Sequence, residues 1–419
     1  MPIHRRVLLC ATTTGYQVRA FDEAAAALGI ELQLATDRCH VLDDPWRDRA
    51  IAVRFHDIPA SVAAITAAAS RQPFDGVLAV GDGPALLAAH LARALSLPWH
   101  PPSAADAARH KLHARRRFAE CGLAVPEFGV WSDEARDVWA SRLPVVVKPA
   151  TLSGSRGVIR ADTPAGLRAA VERIRRLLRD PELRARREPD AGTILVERFI
   201  PGREYAIEAG MDQGAFRLFA LFDKPDPLDG PFFEETLYVT PSRAPAKVQR
   251  EIVATTAAAC RALGLWHGPV HAECRVNDDG VFMLEVAARP IGGLCARALR
   301  FDGPAAGASL EAVLLSHACG QPLDEWRLES ASSGVLMLPI PMAGVLRGVE
   351  GVEDAAAVSG VEAVHITAKL DQQLVPLPEG ATYLGFLFAR AATPEAVETA
   401  LRTAHGCLRV RMDRALPVA

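Results

Sequence analysis

The chain is short of lysine. Among its 47 basic side chains only five are lysine (Lys111, Lys148, Lys224, Lys247 and Lys369), against 42 arginines. Arginine offers a planar fork of donors, lysine a compact ammonium on a flexible stem. In a chain that writes nearly every positive charge as arginine, a surviving lysine answers a chemical need or survives by drift, and its position decides which. Aromatic residues are also scarce, at 6%, and no apolar run reaches the roughly 18 residues that a membrane-spanning helix requires. Neither sign of charge is in excess: 47 Lys+Arg stand against 50 Asp+Glu, a formal net charge of −3. That balance excludes the basic surplus on which nucleic-acid and membrane-surface binding depends. The eight cysteines include no CxxC pair, so no zinc or disulfide framework is expected and the thiols read as buried and free in a reducing cytoplasm. The opening MPIHRRVLLCATTTG reads as a strand rather than a secretory leader. The first strand–helix turn, ATTTGYQ, lacks GxGxxG, which removes the main support for a hydride-transferring dinucleotide enzyme.

What is present is length and a readable order of elements. A chain of 419 residues is enough for two to four domains at about 150 residues each. Residues 1 to about 100 alternate strand (7–11, 31–36, 51–55, 76–80) and helix (19–28, from 59, 84–95), which predicts a small parallel α/β domain. PWHPPS at 98–103 breaks the alternation as a linker. Ser103, with Asp106 three residues on, predicts the capped start of a single helix running to about Cys121. A Val-rich strand at 144–149 leads into TLSGSRGV, and the Arg-rich stretch 168–187 reads as a solvated helix and loop. Strands are expected at 194–200 and 204–209, a hairpin at 270–287, and a final helix from Pro394.

The hairpin carries the most specific signal. Asp278-Asp279-Gly280 suits a three-residue loop with glycine in the left-handed position, which pairs Asn277 with Val281. In that register Glu273 faces Glu285, His271 faces Ala287 and Arg275 faces Met283. The other side pairs Ala272, Cys274 and Val276 with Val286, Leu284 and Phe282, all apolar and expected in a core. Two carboxylates directly opposite, with Cβ atoms about 4.5–5.5 Å apart, repel each other. A sheet tolerates this if one is protonated, if arginine intervenes (Arg275 or Arg289), or if a hard cation bridges them. Arg289 continues the same face and Gly292-Gly293 follow in a loop. A cation with arginine beside it suits stabilisation of phosphoryl or tetrahedral-intermediate charge.

Lys148 ends the Val-rich strand, and the small residues after it offer backbone N–H groups able to cradle phosphate. Taken in order, HKLHARRRFAECGLAVP, VVVKPATLSGSRGV, ILVERFIPGREYAIE, HAECRV and FMLEVAARPIGG resemble the ATP-grasp superfamily of carboxylate–amine ligases from about Lys111 to Arg289. Within it, DKPDPLDGPFFEETLYVTPS and LGFLFARAATPEAVETAL are most similar to the L-amino-acid ligases, which make dipeptides. The resemblance implies an α/β chain, an α+β ATP-grasp fold. Its parts would be an N-terminal Rossmann-like parallel domain (1–100), a linker helix and small lobe with the Gly/Ser loop (101–196), a large lobe with the metal-binding hairpin (197–325) and a C-terminal mixed domain (326–419).

The resemblance also assigns residues. Lys111 and Lys148 would contact ATP phosphates, beneath a loop of Ser153, Gly154, Ser155 and Gly157. Glu197 and the backbone at Phe199 and Ile200 would hold adenine, and Glu204 the ribose. Glu273 and Glu285 would bind Mg2+, with Mn2+ an alternative. Arg289 would stabilise the reacting acyl phosphate. Many relatives carry Asn two residues after the second Glu; Ala287 stands there here, which bears on a second ion. Lys148, Glu285 and Arg289 are the expected catalytic set. His271, Arg289, Gly292, Gly293 and Lys224 are the expected substrate contacts. Lys247 and Lys369 are expected at the surface and His113 and His267 in structural roles; Glu234 and Glu235 are read as a solvated loop, with contact to a substrate amino group as the alternative. The implied reaction joins a small-molecule carboxylate to an amine, expected to be amino acids, through an acyl phosphate with release of ADP and phosphate. No protein nucleophile is required, and Cys274 faces the apolar side. A homodimer through the N-terminal domain is expected, with no nucleic-acid or membrane partner. The rivals are a ligase for a non-amino-acid carboxylate in specialised metabolism, a non-catalytic nucleotide-binding module and, more distantly, a dehydrogenase.

Overall fold

A computed structural model describes residues 5–12, 15–37 and 50–414. The first strand, Arg6–Ala11, is buried on both faces and apolar from Val7 onward, the pattern a parallel sheet covered by helices demands. It pairs in parallel with Glu31–Thr36 and with Gly76–Val80, and Ile51–Ala52 completes the four-stranded sheet. Helices Gly15–Leu28 and Ile58–Ala69 connect strands, and Asp82–Leu95 follows the last of them. Gly76 sets how closely this domain docks: a Cβ there would lie 2.3 Å from the carbonyl oxygen of Ala318, at the end of the helix Leu310–Ala318.

The helix expected over 103–121 is two helices, Pro102–Arg109 and Lys111–Glu120. His110 interrupts them in an extended conformation (φ −109°, ψ 104°), and its ring accepts the N–H of His113. The break lets the Lys111 N–H leave the helical ladder and donate to Ala150 O at 2.9 Å. Lys111 thereby sits beside the loop that follows Lys148.

The small lobe is an antiparallel sheet in the order Phe128–Val130, Ile194–Arg198, Val145–Pro149, Ile159–Ala161. The helix Pro164–Leu177 packs Leu167, Val171 and Ile174 against it and leaves its arginines outward. The large lobe's sheet has eight strands and runs through the boundary expected at 325/326. Leu237–Thr240 pairs with Ser332–Leu338, which pairs in turn with Gly385–Ala391. The helix Pro394–Cys407 covers that end.

The hairpin Gly268–Asn277 and Gly280–Ala287 differs from expectation at its turn. Asn277 pairs with Gly280, so the loop is the two residues Asp278-Asp279, and a bulge lies between Glu273 and Cys274. Beyond it Glu273 faces Glu285 and His271 faces Ala287, as expected. Within it the faces exchange: Met283 pairs with Cys274 in the core, while Leu284 turns outward. The seven described cysteines are free, and Cys39 lies outside the described residues. No helix among the described residues is long and apolar enough to cross a membrane.

Candidate active site

A cavity of about 360 Å³ lies between the two lobes, and residues of the N-terminal domain close one side of it. Lys148 reaches it from the end of its strand and is 6% exposed. Its Nζ lies 2.5 Å from Glu197 Oε2. Burial and Arg115 pull its pKa down to about 8, although Glu197 opposes them. Burial disfavours the charge on Glu197, but Arg115 and Lys148 outweigh it and hold the carboxyl down to about 2. Lys111 donates its Nζ to Leu152 O and lies 3.6 Å from Glu285 Oε2. Between the lysines the loop turns through left-handed conformations at Gly154 (φ 64°) and Ser155 (φ 55°). Ser153, Gly154 and Ser155 line the cavity. Gly157 does not: its N–H donates to Pro378 O at 2.8 Å, and a Cβ there would lie 2.9 Å from Pro149 Cδ.

The opposite wall is acidic. Lys224, fully buried, places Nζ 2.9 Å from Glu204 Oε1, 2.8 Å from Glu235 Oε1 and 2.9 Å from Glu273 Oε1. Glu204, Glu235 and Glu273 are close enough together to hold a metal ion, but an ammonium already occupies their centre. Burial and the repulsion of Glu273 push Glu235 up to about 7. Arg275 donates Nε to Glu204 Oε2 at 2.9 Å, so both oxygens of that carboxylate are held. Glu285 stands across the hairpin from Glu273, with Arg289 Nη2 3.8 Å from its Oε1.

Arg289 in turn donates Nε to Asp82 Oδ1 at 2.7 Å, from the N-terminal domain. Burial opposes the charge on Arg289, but Asp82 and Glu285 hold its pKa above the usual guanidinium value. His271 points Nδ1 at the buried Glu208 (3.1 Å) and Nε2 toward Glu273 (3.7 Å). Burial disfavours the imidazolium, yet the two carboxylates raise its pKa to about 9. Glu208 also accepts the Ile291 N–H at 3.1 Å, which anchors the loop carrying Gly292 and Gly293 on the cavity wall.

Three family comparisons match this chain: the ATP-grasp domain at residues 141–298, the ATP-grasp N-terminal domain at 22–99 and the L-amino acid ligase C-terminal domain 2 at 336–413. The chain carries an ATP-grasp domain. Its solved likenesses include the L-amino acid ligase from Bacillus licheniformis, with a TM-score of 0.78 and 24% identity over 98% of this chain and all of that one. That match shows a shared fold. Among curated relatives, an uncharacterized protein y4rH of Sinorhizobium fredii is 26% identical over 75% of this chain and 63% of its own length. A D-alanine–D-alanine ligase of Aromatoleum aromaticum is 28% identical over 44% of this chain and 57% of its own. The matches thus span about three-fifths of those relatives' lengths.

Within this ATP-grasp fold the cavity is lined by Lys111, Lys148, Ser153–Ser155, Glu197, Phe199, Ile200, Glu204, His271, Glu273, Glu285, Arg289, Gly292 and Gly293. Lys224, expected at the substrate, lies behind the wall as counter-ion to three of its carboxylates. Both oxygens of Glu197 are engaged by Arg115 and Lys148. The side chain therefore serves as the anchor of Lys148, and the cavity wall next to it is Phe199 and Ile200. Glu235, expected in a solvated loop, is on the wall, near Tyr238 and Tyr383. Glu234 is half-buried and does not line the cavity.

Sequence reasoning also missed Asp82 and Arg115, whose partners lie 207 and 82 residues away. For Asp82 the one available signal was an acidic residue at the end of a parallel strand, where α/β sheets place their sites. His113 stacks on His110 and His267 on His317, outside the cavity. Glu273 and Glu285 set two carboxylates on one face, the donor chemistry that Mg2+ takes; Lys224 and His271 face Glu273 Oε1, and Lys111 and Arg289 flank Glu285.

Proposed function

We propose that this ATP-grasp protein is an ATP-dependent carboxylate–amine ligase that joins two amino acids through an acyl phosphate, releasing ADP and phosphate. The observation that carries this reading is the convergence on one cavity of Lys111 and the buried Lys148, a facing carboxylate pair and an arginine fixed at its edge. Mg2+ or Mn2+ held by Glu273 and Glu285 would supply charge neutralisation to the phosphate oxygens.

The protein's own residues position and stabilise. Lys148, fixed by Glu197, and Lys111, fixed by Leu152 O, meet the nucleotide phosphates. The N–H groups of the Ser153–Ser155 turn close over them. Phe199, stacked beneath Arg160 at 4.1 Å, borders the adenine position, and Glu204 faces the ribose. A substrate carboxylate oxygen attacks the γ-phosphorus, and the bond to the ADP oxygen breaks. The amine nitrogen then attacks the acyl carbon, the C–O bond to phosphate breaks and the nitrogen loses its proton. Arg289 stabilises the negative charge that develops on the acyl oxygen and phosphate; its Asp82 bond holds it in place before substrate arrives.

Glu235, a half-buried carboxylate near Tyr238, Tyr383 and Cys295, supports recognition of an ammonium-bearing substrate with an apolar side chain. His271 lines the same wall as a substrate contact.

Incubation with ATP, Mg2+ and a panel of amino-acid pairs, read by phosphate release and product mass, tests this. ADP with a condensed dipeptide is expected. A condensed product only with non-amino-acid carboxylates would redirect the substrate class. ATP binding without ADP formation under any set would make the protein a nucleotide-binding module.

A further inference from the structure

The metal-binding hairpin has a defect at its centre. From the turn, partners run Asn277–Gly280, Val276–Val281, Arg275–Phe282 and Cys274–Met283. Continued without interruption, that ladder would set Glu273 opposite Leu284 and send Glu285 to the core-facing side, because successive residues of a strand alternate faces. The register instead shifts between Glu273 and Cys274, with Leu284 as the extra residue, and Glu273 meets Glu285. Both carboxylates therefore share the cavity side only because of the bulge.

A bulge takes backbone groups out of the ladder, and a buried carbonyl without a partner is costly. Arg115, on the helix Lys111–Glu120, fills that need. Its Nη1 donates to Met283 O at 2.7 Å and its Nη2 to Leu284 O at 3.1 Å. The same guanidinium holds Glu197, with Nε 2.6 Å from Oε1 and Nη2 3.3 Å from Oε2. Arg115 is 1% exposed and lines no part of the cavity. One buried side chain thus binds the strand that anchors Lys148 to the bulge that orients Glu285.

We infer that Arg115 is a positioning residue: it fixes the bulge, and with it the mutual placement of Glu273 and Glu285, and so sets the affinity for the divalent ion without touching ion or nucleotide. The inference rests on the reading of Glu273 and Glu285 as metal ligands. Lysine at 115 can keep an ion pair with Glu197, but a single ammonium cannot also span two carbonyls in the guanidinium's plane.

The test compares wild type, Arg115→Lys, Arg115→Met, Glu197→Gln and Glu285→Gln. For each, calorimetry gives the affinity for a non-hydrolysable ATP analogue in EDTA and with Mn2+, and thermal unfolding checks the fold. Losing a group that orients a metal ligand costs about ten- to a hundredfold in metal affinity. Arg115→Lys is therefore expected to lose the Mn2+-dependent gain by at least about tenfold, while binding in EDTA stays within about threefold. Glu197→Gln should show the reverse, weaker binding in EDTA with the Mn2+ gain retained. A folded Arg115 variant with an unchanged Mn2+ gain overturns the inference. So does failure of both Arg115 variants to fold while Glu197→Gln folds, which would assign Arg115 to stability alone. If Glu285→Gln keeps the full Mn2+ gain, the metal reading has failed first and the Arg115 inference falls with it.

Discussion

At the scale of single residues, charge is used here with attention to its shape. Lys148 is buried against Glu197 where a guanidinium would need room for a planar fork, and Lys111 reaches past Leu152 O toward Glu285. Lys111→Arg and Lys148→Arg conserve charge, yet each should lower kcat/KM for ATP by about ten- to a hundredfold through displaced phosphate contacts. Steady-state kinetics at varied ATP checks this, and near-normal values would return both lysines to drift. Lys224 makes the complementary case. Replacing it by Met leaves Glu204, Glu235 and Glu273 facing one another without the ammonium they share. Breaking such a buried group should cost about 3–5 kcal/mol in chemical denaturation. A loss below about 1 kcal/mol would contradict its role as counter-ion.

At the scale of elements, the glycine loop and the hairpin each rest on a local departure from regularity. Gly157 sits at φ 74° against Pro149, with its N–H held by Pro378 O. Gly157→Ala should destabilise the fold by about 1 kcal/mol or more and raise the KM for ATP, both measurable on one preparation. The hairpin shows how much of the site was legible beforehand. Reading Asp278-Asp279-Gly280 as the loop put the extra residue in the turn, whereas the fold puts it at Leu284. Both placements give Glu273 opposite Glu285, so the acidic pair was found from pairing distance alone although its cause was misplaced. The exchange of Met283 and Leu284 between faces was not legible, because it depends on a guanidinium from another element. For Glu235 the choice between a solvated loop and a substrate contact was not legible for a similar reason: a loop of polar residues looks solvated until the lysine that neutralises it is folded beneath it.

At the scale of the whole molecule, three sequence-distant segments meet at one cavity, and the contacts that join them are the least readable from sequence. Asp82 and Arg289 are 207 residues apart, and no periodicity links them. The strands Arg6–Ala11 and Gly76–Val80, by contrast, follow from their apolar runs, whereas the strand expected over 51–55 spans only Ile51–Ala52. The continuous eight-stranded sheet escaped notice because Leu237–Thr240 and Ser332–Leu338 pair across the expected domain boundary. Docking of the linker onto the large lobe uses the His100 ring, and a pH dependence is expected from it. Its Nδ1 accepts the Trp266 N–H at 3.1 Å and its Nε2 faces Pro269 O at 3.0 Å, which fixes a neutral ring. Burial pushes its pKa down to about 4. Between about 6.5 and 4 the unfolded chain holds a proton that the native ring refuses, so the His100 contribution to stability should fall by about 3 kcal/mol as pH drops through that window, alongside those of His110 and His267, also pushed down to about 4 by burial. Denaturation curves across pH check this, and His100→Gln should make the slope shallower than in the wild type.

The central claim, ligation through an acyl phosphate, is tested most directly by the fate of the carboxylate oxygen. With an amino acid labelled with 18O in its carboxyl group, a second amino acid, ATP and Mg2+, mass spectrometry of the released phosphate should find one labelled oxygen per phosphate, matched to the dipeptide formed. Unlabelled phosphate alongside product, or label recovered in AMP, would contradict it.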